Sequence, residues 1–177
     1  MTKTVILPKE LEDRLDKLAV LTDEVHGILF YRPTLTGDLC PVEYLFLTGT
    51  GTEGSVVSID ERIEIANEFF KVHPEYKYIE FHTHSTGTIQ RFGEHYATHF
   101  SEGDLANIRA RLDEDQNYIA MLVTPKTKLV AGNSAIASKV IADKDFPDYD
   151  AKKRAIDEEI TRIARTKGYV IGNLYVH

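Results

Sequence analysis

His82-Thr83-His84 sets two imidazoles one residue apart at the end of a β-prone run, Tyr76 to Thr83. In a strand, residues i and i+2 share a face about 6.5 Å apart along the chain, so both rings can converge on one metal ion. Two buried, hydrogen-bonded histidines are the plainer alternative. A catalytic zinc site keeps three protein ligands and an open position. The candidate third ligand is Asp104, in the run Phe100-Ser101-Glu102-Gly103-Asp104. Ser101 and Asp104 also read as a helix capping box. The two roles are compatible, because a carboxylate in the first helical turn can face a metal while the helix start holds it rigid. Glu24 stands beside His26 and Gly27 in an otherwise apolar run, where an isolated carboxylate is costly to bury. It either occupies an exposed strand entrance or acts as a general base, taking a proton and returning it to a leaving amine.

Positioning these groups takes an alternation of helices and strands. Thr4–Leu7 reads as a strand, and Pro8 suits the first position of a helix carrying Leu11, Leu15, Leu18 and Leu21 at helical spacing. Glu24–Tyr31 and Val42–Leu47 read as an antiparallel pair across a loop at 33–41. A Gly/Thr loop at 48–54 and a short apolar piece, Val56-Val57, follow. Asp60 is placed as the N-cap of a helix running to His73, where Pro74 ends it. Residues 85–100 show no clear periodicity and are expected to form a long loop. Ser101 opens a helix to about Leu112. Strands are expected at Tyr118–Thr124, Lys128–Val130, Ser134–Ile141 and Tyr169–Val176. A charged amphipathic helix spans Asp148–Lys167, stopped by Gly168. The fold class is α/β, a single domain over 1–177 with a mixed β-sheet flanked by helices on both faces.

The order Glu24-Val-His-Gly27, His82-Thr-His84, Ser101-Glu-Gly-Asp104 resembles the JAMM (MPN+) metalloproteases, which remove ubiquitin and ubiquitin-like proteins from their conjugates. The helices preceding the Glu24 and His82 strands fit, as does the helix opening at Ser101. The resemblance covers about residues 1–140; the C-terminal helix and tail, about 147–177, are where the family varies. It implies a cytidine-deaminase-like layering, Zn2+ on His82, His84 and Asp104 with water in the fourth position, Glu24 as general acid/base, and Ser101 as a stabiliser of the oxyanion. It further implies a ubiquitin-like protein or its conjugates as partner. The same zinc chemistry on a small amide or a sulfur-carrier adduct is a related reading, and a non-catalytic scaffold of this fold is the alternative. Two departures stand out. The family has proline after the second histidine, where this chain has Ser85. Sixteen residues separate His84 from Ser101, nine more than the family's seven, and loop closure tolerates such an insertion. The insertion brings His95 and His99 at i and i+4, a candidate second metal pair or a substitute for Asp104; His26, His73 and His177 form no comparable constellation.

Composition sets the background. With 177 residues and 42% hydrophobic content, the chain suits one globular domain. A net charge of -7, and no basic run longer than Lys152-Lys153-Arg154, argue against a nucleic-acid partner. Cys40 is the single cysteine, so no internal disulfide or thiolate zinc site is expected. No stretch approaches the roughly 20 apolar residues that span a bilayer, and the N-terminus lacks the pattern of a secretory signal. The expectation is a cytoplasmic protein without a membrane partner.

Overall fold

Among the described residues seven strands form one mixed sheet. The computed structural model describes residues 2–50 and 60–169. The strands are β1 (Lys3–Pro8), β2 (Val25–Tyr31), β3 (Leu39–Thr50), β4 (Lys77–Thr83), β5 (Ile119–Val123), β6 (Lys128–Gly132) and β7 (Ile136–Ile141). The helices are α1 (Lys9–Ala19), α2 (Asp60–Val72), α3 (Thr86–Phe92), α4 (Glu94–Ala97), α5 (Glu102–Glu114) and α6 (Tyr149–Thr166). The strands lie in the order β6-β5-β4-β2-β3-β1-β7; β1 runs parallel to β3 and β7, and β4 parallel to β5. The β2–β3, β2–β4 and β5–β6 pairs are antiparallel.

The sheet curls around α1. Leu11, Leu15 and Leu18 of that helix enter a core to which all seven strands contribute, from Val5 in β1 to Ile136 in β7. The ends of the sheet's order meet at Gly132 of β6, where a Cβ would lie 2.6 Å from the Ile136 side chain of β7. On the outer face α2 and α6 cover Phe30, Tyr44 and Phe46, and α5 covers Tyr78, Tyr118 and Ala120. Helices therefore lie on both faces, as the alternation of elements predicts.

Strand alternation then fixes which residues share the outer face with α5. In β4, Ile79, Phe81 and Thr83 turn inward toward α1, leaving Tyr78, Glu80 and His82 on the other side. β2 follows suit, with His26 opposite His82 and Ile28 opposite Glu80.

Three expectations are corrected. β3 is longer than Val42–Leu47, because Leu39–Pro41 pair with β1 while Thr50 pairs with Val25. Pro41 and Gly49 are turn-type residues, but pairing with β1 at one end and with β2 at the other outweighs them. Residues 85–100 are not a plain loop: they contain α3 and α4, too short to show a helical period. Pro8 closes β1 and caps α1 instead of opening the helix. Gly168 ends α6 with a φ of 79°, a left-handed conformation suited to glycine. Val56-Val57 and the tail from 170 onward, including the rest of the expected last strand, lie outside the described residues.

Candidate metal centre

β4 ends at Thr83, but the His84 N–H donates to the Val123 carbonyl at 3.0 Å and carries the β4–β5 ladder one residue further. That continuation keeps His82 and His84 side by side, with ring centroids 5.1 Å apart. Asp104 arrives from the first turn of α5. Ser101 caps this helix: its hydroxyl accepts from the Asp104 N–H at 3.1 Å, and its own N–H donates to Asp104 Oδ2 at 2.8 Å. The capping box and the approach to the histidines coexist in one side chain. Asp104 Oδ1 lies 3.3 Å from His82 Nε2, and Oδ2 lies 3.5 Å from His84 Nε2.

His84 Nδ1 lies 3.0 Å from the carbonyl oxygen of Ala97, which can only accept, so Nδ1 carries the hydrogen. In the neutral ring Nε2 is then a lone pair, and it faces the Asp104 carboxylate. His82 Nε2, beside the other carboxylate oxygen, is buried without a hydrogen-bond partner among the described residues. Burial acts to raise the Asp104 pKa, but a ring proton on His82 or His84 that donates to the carboxylate, with the Ser101 N–H, outweighs it and holds the group well below the usual carboxylate range. With both Nε2 atoms unprotonated, the crowding of acceptors is one that a cation would relieve. The donor atoms lie within 4.8 Å of one another, forming a group that can hold a metal ion. The edge of a tetrahedron with zinc-like bonds of 2.0–2.1 Å is about 3.3 Å, close to the two separations above. A ligand histidine whose second nitrogen donates to a backbone carbonyl is also the usual outer arrangement of a metal site.

Glu24 precedes β2 and, in continuation of the His26–His82 register, comes level with His84. It is 5% exposed, which removes the exposed-entrance alternative. Its Oε1 accepts from the Thr88 hydroxyl at 2.6 Å. Ser101 uses its oxygen as the cap acceptor, so its own hydrogen is not consumed by that bond.

A small cavity of about 50 Å³ adjoins the ligands, lined by His26, Glu80, His82, Phe100 and Asp104 among others. His26 and Glu80 are also walls of a larger cleft of about 240 Å³ between α2 and α5. Ile28, Ile63 and Phe70 make that cleft partly apolar, and Arg111 borders it while donating to Glu80 at 2.6 Å. Thr48 lies in its wall, 1% exposed, its hydroxyl without a hydrogen-bond partner among the described residues. Burial lowers the His26 pKa, with Glu80 opposing.

His95 and His99 face each other at 4.9 Å between ring centroids, on the exposed side of the insertion. They do not join the His82–His84–Asp104 group, the one set of three or more such donors among the described residues. Sequence reasoning missed Thr88, the Ala97 carbonyl, and His26 as a cleft residue. A backbone carbonyl leaves no trace in sequence. Thr88 leaves a faint one, as the fourth residue of Ser85-Thr86-Gly87-Thr88, a capping spacing without the usual Glu or Gln.

No protein-family model matches the chain, and no curated protein matches it. Among solved structures it is similar to protein DSY2949 from Desulfitobacterium hafniense, a solution structure with 18% identity, a TM-score of 0.49, and coverage of 79% of this chain and 96% of that one. A likeness of this size carries no functional argument.

Proposed function

We propose that the chain is a zinc-dependent metallopeptidase of the JAMM (MPN+) type, with that family's layering. In this reading it hydrolyses an amide or isopeptide bond and releases a ubiquitin-like protein from its conjugates. The observation that carries this reading is the hydrogen count at His84: with Nδ1 committed to Ala97, its Nε2 lone pair joins Asp104 and His82 Nε2, which has no hydrogen-bond partner among the described residues, around one point. The order Glu24, His82-x-His84, Ser101-x-x-Asp104 supports the family, and the cleft beside the ligands provides room for a substrate chain.

His82, His84 and Asp104 would hold zinc, which in such sites supplies water activation near neutral pH and polarisation of a carbonyl. Asp104 is kept ionised and rigid by the Ser101 N–H, and His84 is kept in one tautomer by Ala97. Glu24 accepts the proton released when water adds to the scissile carbonyl. As the C–N bond breaks, the same proton passes to the departing amine, and the carboxylate is restored. The Ser101 hydroxyl donates to the oxygen that gains charge, a contribution of about 2.7–4 kcal/mol for one such donor.

The test pairs metal analysis with turnover on ubiquitin-like conjugates and small amides. The expected result is one zinc per chain, cleavage of at least one substrate class, and Glu24→Gln protein that keeps its metal while turnover falls by about 10²–10⁴. Full activity in Glu24→Gln would remove the assigned proton carrier. A chain that takes up no metal would leave the scaffold reading in place.

A further inference from the structure

We infer that the insertion's opening segment, Ser85 to Thr88, is a clamp that positions Glu24, with Thr88 as the positioning residue in contact with its carboxylate. This rests on the hydrolase reading of Glu24.

Three side chains of the segment reach the stretch leading into Glu24. Thr86 Oγ1 donates to the Val20 carbonyl at 3.2 Å, Ser85 Oγ donates to the Thr22 carbonyl at 2.7 Å, and Thr88 Oγ1 donates to Glu24 Oε1 at 2.6 Å. The last is in the short range of charge-assisted O–H···O⁻ bonds. Thr88 is fully buried, and its hydroxyl oxygen accepts from the Ser85 N–H at 3.2 Å. That acceptance sets the orientation of the hydroxyl, whose hydrogen goes to Glu24. The Ser85–Thr88 capping box and the Glu24 contact therefore form one unit. Proline at 85 has neither the N–H nor the hydroxyl for it. A serine after the second histidine and a helix directly behind it are thus linked features.

A buried carboxylate that must accept and return a proton needs a fixed position, because misplacement by about 1 Å can cost 10²-fold in rate. Thr88 ties down one carboxylate oxygen. It touches neither the ligands nor the reacting atoms in this reading, so its effect passes through Glu24.

The experiment compares Thr88→Val, Thr88→Ser, Glu24→Gln and the Glu24→Gln/Thr88→Val double variant. Hydrolysis is followed with ubiquitin joined through its C-terminal carboxyl to a fluorescent lysine peptide, and metal affinity by competition with a chromogenic chelator. Thr88→Val is expected to lower kcat by about 10–100-fold with KM and zinc affinity within threefold of wild type. Thr88→Ser should restore kcat, and Thr88→Val should add nothing in the Glu24→Gln background. A Thr88→Val variant as active as wild type, with Glu24→Gln inactive, overturns the clamp and spares the hydrolase reading. Glu24→Gln at full activity overturns the reading of Glu24 as the proton carrier, on which the clamp rests. Loss of zinc affinity in Thr88→Val, or an additive double variant, assigns Thr88 a merely structural role and overturns the inference. Independently of activity or metal, NMR of the metal-free wild type should show a slowly exchanging Thr88 hydroxyl proton with cross-peaks to the Glu24 side chain. Their absence overturns the contact, including where the peptide conjugate is not cleaved or Thr88→Val fails to fold.

Discussion

His84 Nδ1 lies 3.0 Å from the carbonyl oxygen of Ala97, thirteen residues further along the chain, and this contact decides which nitrogen of the ring is free. The insertion between the two halves of the site is thereby part of the site. Ala97 is fully buried, and Tyr96 stacks on the same imidazole at 5.8 Å between centroids.

Metal binding should therefore stabilise the fold measurably. Zinc at a hundred times its Kd adds about 2.7 kcal/mol, which for a chain of this length raises Tm by about 5–10 °C. Differential scanning calorimetry with and without zinc checks this. Asp104→Ala should abolish the increment. Tyr96→Ala, which removes the ring stacked on His84 along with its contact to Phe92 but leaves the Ala97 carbonyl in place, should weaken zinc binding by about 10-fold, the lower end of outer-shell effects.

Ser101 carries two roles that one substitution can separate. Its oxygen caps α5, and glycine at an N-cap costs only a few tenths of a kcal/mol relative to serine. Ser101→Gly should thus unfold within about 0.5 kcal/mol of wild type in urea. Turnover should nevertheless fall by about 10²–10³, the loss expected for one oxyanion donor. Unchanged kcat in a well-folded Ser101→Gly protein would confine Ser101 to the cap.

Residue type and spacing made the three donors legible, because strand alternation and the capping box are local rules. His82, His84 and Asp104 meet where those rules direct them. The sheet's outline was legible for the same reason, since β2, β4 and β5 carry apolar patterns that no other element competes for. What stayed hidden depends on contacts distant in sequence. Thr88 and Glu24 are 64 positions apart, and nothing local to either predicts their bond. The ends of β3 look like loops until β1 and β2 pair with them. His26 belongs to no constellation in the sequence, because its register opposite His82 exists only once the sheet has formed.

Gly27 illustrates a close approach that sequence marks only as a glycine in a strand. A Cβ there would meet Phe81 Cε1 at 2.5 Å and the Phe46 carbonyl oxygen at 2.8 Å, on a strand flanked by both neighbours. The ring of Phe81 can shift, but the backbone oxygen cannot. Gly27→Ala should cost about 1–3 kcal/mol by overpacking, read as a Tm lower by several degrees in the metal-free protein. Gly27→Ala with Phe81→Leu should recover part of the loss, because the smaller side chain clears one of the two clashes.

Acid sensitivity of the metal-free fold should be traceable in part to Glu159. Its carboxylate accepts two bonds from Arg162, at 2.6 and 2.9 Å, and pairs with His73 Nε2 at 3.1 Å. The Arg162 contact, with His73 adding to it against a smaller cost of burial, lowers its pKa to about 2. A folded pKa below the unfolded value near 4.3 means the unfolded state binds the proton first. The stabilisation is complete above that value and is lost as pH falls toward 2. Arg162 is largely exposed, so the contribution is under about 1 kcal/mol. Urea midpoints measured from pH 6 to pH 2 should therefore fall less steeply for Glu159→Gln than for wild type, the two curves converging at the acid end. Parallel curves across the whole range would mean that the Arg162 and His73 contacts do not hold Glu159 ionised in the folded chain.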